Sequence, residues 1–455
     1  MSKTARLSRD WRIFLCIALF AGALLRLLFV QDMEYKEDEE YNFTQSQGAA
    51  AWSWIGMPSG VYIPNPGMSV WVFKILAALA HASEPTQLAR AVQLFALIGI
   101  CAILPFVLKA LRPSDDRTPW LWAMALALVN PFAVFYQRKL WPEPILPFFS
   151  MMMLAGWWRR DLWLGAFAWG LLGAALGQIH MSGFFFAAAF PLFTLIFESV
   201  DVPRSRVRWS GWLGGSILGS LPLIPWALYS LQNPVHEAIT RGWQEAIQAK
   251  FWVFWMTDPL GLHLGNTLGI LRGPTNWDQV SDFVRYPLIG GHATYLNLAA
   301  HLIAALAAGA ILIPALLMAF ARTRGPGKKN RTETQLALMA GIWGFGLLLT
   351  ASSVMIRRYY LMVSFPLEFV WLARLALQNP RPGFAHRCLA TLWGAELFIS
   401  ACFVGYVHVN EGSTTGDYGD AYHVVMENRE NREHRENREA GARATPPPSP
   451  APSPR

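Results

Sequence analysis

The stretch IFLCIALFAGALLRLLFVQDMEYKEDEEYNF, residues 13–43, sets a long apolar run directly against a cluster of six acids. Four cations precede the run, namely Lys3, Arg6, Arg9 and Arg12. A signal peptide has the same order, but no small-residue cleavage site follows, and the run is long enough to cross a hydrocarbon core of about 30 Å. The sequence therefore predicts an uncleaved first transmembrane helix with a cytoplasmic N-terminus.

The composition is that of a membrane protein. The chain is 53% hydrophobic and only 15% charged, whereas soluble domains carry about 25% charged residues. Many of the 21 tryptophans lie near the ends of apolar runs, as in interfacial belts. The net charge of +8 is explained by basic cytoplasmic loops, so no nucleic-acid partner is expected. The four cysteines fall within apolar runs and have neither metal-ligand spacing nor the pattern of a disulfide framework.

Ten further apolar runs are long enough to be transmembrane helices. Together with the first helix they predict an all-α polytopic integral membrane protein with about eleven crossings, in which residues 1–408 form the transmembrane domain. The ten runs are 92–110, 118–136, 141–158, 162–178, 181–197, 211–230, 295–320, 335–353, 359–377 and 388–408.

One additional run, GMSVWVFKILAALA at 67–80, is too short to be a simple span. At about 1.5 Å per residue it covers only ~21 Å, and Lys74 lies in its middle. If it crossed, every basic loop after it would move to the outer face, against the positive-inside rule. We therefore expect a juxtamembrane helix within a long first outer loop, residues 31–91, and a second large outer loop at 231–294.

The C-terminal tail, residues 409–455, is expected outside the cytoplasm. From about residue 427 it reads ENRENREHRENREAGARATPPPSPAPSPR, a charged repeat followed by a Pro/Ser run. Such a segment cannot bury an apolar core, so the sequence predicts disorder there.

The same topology brings several polar side chains to one membrane face. Carboxylates and arginines at a shared interface suggest a site for an anion together with a base. Each residue has a simpler interpretation, as part of a solvated loop, a headgroup anchor or a structural histidine. However, arginines are disfavoured at an outer face, so a pair there calls for a reason. The residues are Asp38, Glu39, Arg138, Glu143, His180, Arg357, Arg358 and Tyr359.

Several short motifs resemble the GT-C superfamily of membrane glycosyltransferases, and within it the group of protein O-mannosyltransferases and aminoarabinose transferases. A first helix is followed by an Asp-Glu pair, a Tyr and a short juxtamembrane helix. The other motifs are ALVNPFAVFYQRKLWPEPILPFF (127–149), LGQIHMSGFFF (176–186), RRYYLMVSFPLEF (357–369) and GSTTGDYGDAYH (412–423).

This resemblance implies an inverting transfer of a sugar from a polyprenyl-phosphate donor to a glycan, lipid or protein acceptor at the outer face of a bacterial inner membrane. A polyprenyl phosphate leaves as a stabilised anion, so the reaction needs one base and no general acid. Asp38 is the first choice for the base and Glu39 the second, because extra acids leave the register of the motif open. No cofactor is firmly implied, and dependence on a divalent metal stays open.

The resemblance also implies roles for the other residues. Arg357 and Arg358 would grip the departing phosphate, with Tyr359 beside them, since a guanidinium matches phosphate oxygens at two points. Lys74, near the membrane lipids, would assist. Glu143 would orient the acceptor, bind a metal or hold Arg138, and the prolines on both sides of Glu143 depart from the family pattern. His180 would also line the substrate site.

Two other classes of function remain. A transporter or flippase for a lipid-linked or anionic molecule is the main alternative, and charges at mid-membrane depth or related halves of the chain would favour it. A non-catalytic assembly subunit would tolerate the replacement of its acids by amides.

Overall fold

The computed structural model describes residues 7–48, 52–58, 63–234, 248–261, 277–322, 331–352, 354–412 and 418–444. Its α-helices, in chain order, are α1 Arg9–Leu27, α2 Glu37–Ser46, α3 Met68–Ala80, α4 Pro85–Cys101, α5 Ile103–Lys109, α6 Thr118–Val129, α7 Pro131–Gln137, α8 Leu146–Trp158, α9 Trp163–Ile179, α10 Ser182–Ile196, α11 Trp209–Ser220, α12 Leu223–Gln232, α13 Lys250–Thr257, α14 Trp277–Arg285, α15 Leu296–Arg322, α16 Glu333–Met339, α17 Gly346–Ala351, α18 Leu367–Leu377, α19 Pro382–Val409 and α20 Tyr422–Ala444.

Other regular structure is sparse among the described residues. A two-stranded antiparallel hairpin joins β1, Leu288–Ile289, to β2, His292–Ala293. A π-helical segment links α16 to α17. Tight 3-10 turns complete the set at Val30–Asp32, Glu143–Ile145, Arg204–Arg206, Asp258–Leu260 and Arg358–Ser364.

Each apolar run predicted as a span is helical over most of its length, and the all-α class of a polytopic membrane protein is confirmed. By length and apolar composition, four helical stretches of the described chain can cross a membrane, or seven if three bent pairs each count as one span. The number of eleven is not confirmed, because other predicted spans form shorter helices, such as the 17 residues of α9 and the 15 of α10. The four stretches are Pro85–Lys109, Leu296–Met318, Glu333–Ala351 and Gly383–Val409.

The bend between α6 and α7 has a local cause. Asn130 adopts an extended conformation and its side-chain oxygen accepts the N–H groups of Phe132 and Ala133, at 3.0 and 3.2 Å. Pro131, at the first position of α7, has no N–H to continue the helix before it. The axis of α7 is therefore bent by 54° from that of α6. The polar turn at 138–145 follows directly after α7.

The segment at 67–80 folds as expected into the separate helix α3 of 13 residues. Its Lys74 is buried and its ammonium donates to the carbonyl of Gln47, just after α2, at 2.7 Å. The contact ties α3 to the acidic α2 helix.

Whether α3 stays on one side of the membrane is a prediction that cysteine labelling can check. In a variant without the native cysteines, Glu37→Cys and Ser83→Cys place exposed thiols before and after α3. We expect an impermeant maleimide added from outside to label both positions, because a crossing would invert all later basic loops. Labelling of position 83 only from the cytoplasm would refute this topology.

The C-terminal tail differs from the expectation of disorder from residue 427, since α20 continues to Ala444. Two physical reasons account for the helix. The repeat places arginine and glutamate four residues apart, as in Arg429 and Glu433, a spacing that supports isolated helices. In addition, Arg429 forms an ion pair with Glu40 of α2 at 2.7 Å, so the start of the tail is docked on the protein.

Buried charge lies at both ends of the helix bundle. At one end, Arg160 and Glu333 form a fully buried ion pair at 2.7 Å. At the other end, Arg138 contacts the C-terminal end of α1, and Glu143 contacts His180 at the junction of α9 and α10. The second end holds polar residues that the sequence predicts to form a site.

Candidate active site

Asp38 occupies the first turn of α2. The backbone N–H of Lys36, the residue before the helix, donates to Oε2 of Glu39 at 3.0 Å, so Glu39 points back to cap the helix. Glu39 is buried by this arrangement, whereas Asp38 is half-buried and keeps access to solvent. The local fold therefore gives the two adjacent acids different surroundings.

Glu34 is a central residue of this region that the sequence analysis did not select. Its buried carboxylate forms ion pairs with Lys36 and with the buried Lys139, and its Oε1 accepts the backbone N–H of Gly419 at 3.0 Å. Lys139 also lies over the ring of Trp141, 4.1 Å from its centroid. Glu34 is one of six similar acids in the printed sequence, and only its tertiary partners distinguish it.

The charges around α2 affect the two neighbouring acids unequally. Burial and then the charge of Glu34 raise the pKa of Asp38, while Lys139 opposes the shift. The same two causes raise the pKa of Glu39 to about 8. The burial of Glu39 and the hydrogen bond that its Oε2 accepts from the N–H of Lys36 disfavour it as the base.

Glu143 and His180 form the opposite side of the cluster. Nε2 of His180 lies 3.5 Å from Oε1 of Glu143, and its Nδ1 is 2.7 Å from the hydroxyl of Ser182. Burial lowers the pKa of His180 to about 4, so the imidazole is neutral at physiological pH. The contact with Glu143 is therefore that of a neutral imidazole and not an ion pair.

Tyr359 joins the two sides of the cluster. Its ring packs edge-on against Trp141 and His180, with centroids 5.7 and 6.1 Å apart. It lies within electrostatic reach of Asp38, Glu143 and Arg357. Asp38 and Glu143 also lie within electrostatic reach of each other and of Lys139. Five of the predicted residues, Asp38, Glu143, His180, Arg357 and Tyr359, are thus brought into one cluster.

The two neighbouring arginines, Arg357 and Arg358, differ in their surroundings. Arg357 is exposed, and its guanidinium makes no hydrogen bond or ion pair with the part of the chain that the structure describes. Arg358 is buried, with Nε 3.2 Å from the carboxylate of Asp258 and its guanidinium over the ring of Phe254. Of the pair, only Arg357 presents its charge to a ligand.

Arg138 is engaged with the protein backbone. Its guanidinium donates to the carbonyl oxygens of Leu25, Arg26, Leu28 and Phe29, at 2.8 to 3.1 Å. Leu25 and Arg26 lie in the last turn of α1, where carbonyl groups lack partners within the helix, so a cation there satisfies them and complements the helix dipole. These contacts support a structural role for Arg138, which the sequence places among the candidate residues of the substrate site.

The buried pair of Arg358 and Asp258 gives a prediction about stability. Arg358→Met alone leaves a buried carboxylate without its cation and is expected to destabilise the protein by about 3 kcal/mol. Adding Asp258→Leu should recover most of this loss, since an apolar pair of similar volume can replace a buried ion pair. Thermal unfolding in detergent measures both variants. A single variant as stable as the wild type would contradict the prediction.

The described residues contain no group of three or more His, Cys, Asp or Glu side chains arranged to hold a metal ion. Parts of several predicted features lie outside the described residues, namely 49–51 and 59–62 of the first outer loop, 235–247 and 262–276 of the large outer loop, 413–417 of the last motif and 445–455 of the C-terminal tail.

No protein-family model matches the sequence, and no curated protein matches it. Among solved structures, the chain is similar to the oligosaccharyltransferase of Archaeoglobus fulgidus in its apo form, with 14% identity, a TM-score of 0.48, and coverage of 87% of this chain and 56% of that one. An archaeal oligosaccharyltransferase of the same organism, in complex with an inhibitory peptide and a dolichol-phosphate, has 12% identity and a TM-score of 0.45, with coverage of 87% of this chain and 56% of that one. The oligosaccharyltransferase tethered to an acceptor peptide has 12% identity and a TM-score of 0.44, with coverage of 88% of this chain and 55% of that one.

The chain therefore spans just over half the length of these structures.

Proposed function

We propose that this protein is an inverting glycosyltransferase that moves a sugar from a polyprenyl-phosphate donor to an acceptor hydroxyl or amine, at the outer face of a bacterial inner membrane. The observation that carries the proposal is a half-buried carboxylate, Asp38, in one cluster with Glu143 and Tyr359 and with the exposed guanidinium of Arg357. A base and an anion-binding cation are the two groups that this reaction needs.

Asp38 is assigned as the base. It accepts the proton of the acceptor while the acceptor oxygen or nitrogen attacks the anomeric carbon. The bond between that carbon and the phosphate oxygen breaks, its electron pair stays on the phosphate, and the configuration inverts. The half-exposed position of Asp38 and the helix-capping role of Glu39 support the choice of Asp38, and not Glu39, as the base.

Arg357 is assigned to the departing phosphate. The phosphate oxygen gains negative charge as the bond breaks, so a guanidinium beside it stabilises the transition state more than the ground state. Arg358 is assigned a supporting role through Asp258, which differs from the shared role that the sequence analysis gives to the two arginines. Arg358 is the first residue of the 3-10 turn Arg358–Ser364, so its ion pair with Asp258 fixes the start of this turn. The neighbouring residues Arg357 and Tyr359 are positioned by the same contact.

Glu143, together with the neutral His180, is assigned to the acceptor. Both side chains are largely buried and lie across the cluster from α2. The carboxylate oxygens of Glu143 can accept a hydrogen bond from an acceptor hydroxyl, and His180, whose two ring nitrogens lie against Glu143 and Ser182, orients that carboxyl group. This assignment keeps Asp38 as the group that takes the proton.

The direct test is a transfer assay with purified protein in lipid nanodiscs. Polyprenyl-phosphate sugars with a radiolabelled sugar are supplied with a panel of glycan, lipid and peptide acceptors. We expect label to move to an acceptor with release of polyprenyl phosphate, and inversion at the anomeric carbon. Binding of the donor without any transfer, across the whole panel, would count against the proposal.

One observation favours the second candidate function, a transporter. Glu396 is fully buried within α19, inside the apolar stretch Gly383–Val409, and its Oε1 accepts the side-chain amide of Asn130 at 3.1 Å. Intramembrane acids often mark a transport path. In proteoliposomes, flux of a lipid-linked or anionic substrate that is abolished by Glu396→Gln would favour transport, while transfer activity that survives Glu396→Gln favours the enzyme.

A further inference from the structure

The C-terminal segment at 418–429, here called the C-terminal clamp, lies against the acid loop, residues 32–40. The backbone N–H of Tyr35 donates to the carbonyl of Asp420 at 3.2 Å, and the N–H of Tyr422 donates to the carbonyl of Met33 at 2.9 Å. These bonds form an antiparallel bridge centred on Glu34. The chain end is therefore paired, by backbone hydrogen bonds, with the segment that leads into α2.

Side chains reinforce this pairing at its first residues. Tyr418 is fully buried, and its hydroxyl donates to the carbonyl of Asp32 at 2.6 Å. The next residue, Gly419, gives its N–H to Oε1 of Glu34 at 3.0 Å, and Lys36 lies against this glycine. The clamp thus supplies a hydrogen bond to the acid whose charge acts on Asp38.

The far end of the clamp reaches α2 itself. Arg429 of α20 donates through its two terminal nitrogens to the two carboxylate oxygens of Glu40, at 2.9 and 2.7 Å. Its guanidinium also lies 5.8 Å from the centroid of the Tyr35 ring. Glu40 is two residues beyond Asp38, in the first turn and a half of the same helix.

We propose that the C-terminal clamp is a positioning element of the candidate active site, which fixes the acid loop so that Asp38 is held in its reactive place. The acid loop needs such support, because between α1 and α2 it contains only one 3-10 turn and depends on outside partners for its shape. Tyr418 and Arg429 are then positioning residues, since they act through the loop and not on the substrate. The proposal rests on the function proposed above.

Two truncations separate the clamp from the rest of the tail. A chain ending at residue 417 lacks the clamp, and a chain ending at residue 430 keeps it. We expect the first to lower kcat by about 10²-fold, as a misplaced reacting group does, with a donor KM within about threefold of the wild type. The second should keep the wild-type kcat, because the repeat beyond residue 430 makes none of the contacts described for the clamp.

Point variants decide the matter if the shorter chain fails to insert. Tyr418→Phe removes only the hydroxyl that holds Asp32. Arg429→Glu sets two acids against each other, and Glu40→Arg combined with Arg429→Glu restores the opposite charges. We expect both single changes to lower kcat by about fivefold with a small effect on KM, and the swapped pair to recover it. Arg432→Glu, an exposed change one turn along α20, is the matched control and should have the wild-type kcat.

The outcomes distinguish this proposal from the proposed function. If Asp38→Asn abolishes transfer but the chain ending at residue 417 and the point variants keep the wild-type kcat, the clamp proposal is overturned and the function stands. A higher kcat without the clamp makes it inhibitory and also overturns the proposal. If the wild type transfers no sugar, the proposed function fails; hydrogen exchange at the amides of the acid loop then tests the clamp, and exchange that is unchanged by truncation overturns it.

Discussion

Asp38→Asn is expected to lower kcat by about 10²–10⁴-fold, the usual contribution of a general base, while leaving the donor KM close to that of the wild type. The amide preserves the shape of the side chain but cannot take the proton of the acceptor. Asp38 forms no ion pair with Arg357, the residue assigned to the phosphate. Its replacement should therefore leave donor binding intact. Steady-state kinetics with a labelled donor, together with equilibrium binding of the same donor, separates the two effects.

Two neighbouring variants are the controls for this result. Glu37→Gln removes one exposed charge from the same helical turn and should retain nearly full activity. Glu39→Gln should do the same, because its amide oxygen can still accept the N–H of Lys36. The opposite pattern, a silent Asp38→Asn and an inactive Glu39→Gln, would move the base to Glu39. Wild-type rates in both would show that neither acid of this pair is the base.

The pH profile gives an independent check on Asp38. A base acts only when ionised, so kcat/KM falls as the pH drops through its pKa. Burial and the charge of Glu34 raise that pKa above the ordinary value of 3.8. The acid limb of the profile is therefore expected at a higher pH than for a free aspartate, and it should be absent from the residual activity of Asp38→Asn.

Arg357→Ala is expected to lower kcat/KM for the donor by about 10²–10³-fold, as does the removal of one preorganised donor to a developing anion. The loss should appear in both KM and kcat, since the phosphate is charged in the ground state and gains charge as the bond breaks. Arg357→Lys should recover only part of it, because an ammonium cannot make the two-point contact of a guanidinium.

The control for Arg357 is Arg206→Ala, an exposed arginine in the turn Arg204–Arg206 between α10 and α11. It removes the same charge and should leave kcat/KM unchanged. Arg357→Ala with wild-type kinetics, beside an inactive but well-folded Arg358→Met, would transfer the phosphate role to Arg358 and overturn the division between the two arginines.

The sequence by itself determined the helical class and the sharing of one end by the polar residues. Apolar runs without charge have to satisfy their own backbone groups in lipid, and the helix is the local way to do so. In a chain of successive membrane-spanning helices, every second connection lies at the same membrane face. This rule predicts that Asp38, Glu143, His180 and Arg357 lie at one end of the helices. The number of crossings was not determined, because breaks such as the one at Asn130 depend on a single cap and proline, and composition does not reveal them.

Only the tertiary structure decided which charged side chains are engaged by partners within the protein and which are left to contact a ligand. Glu34, Arg138 and Arg358 look no different in the sequence from Asp38 or Arg357. Each is engaged by a partner far away along the chain: Glu34 by Lys139 and Gly419, Arg138 by the end of α1, and Arg358 by Asp258. A buried charge is stable only with such partners, and their choice depends on packing between distant segments, which residue type and local spacing do not encode.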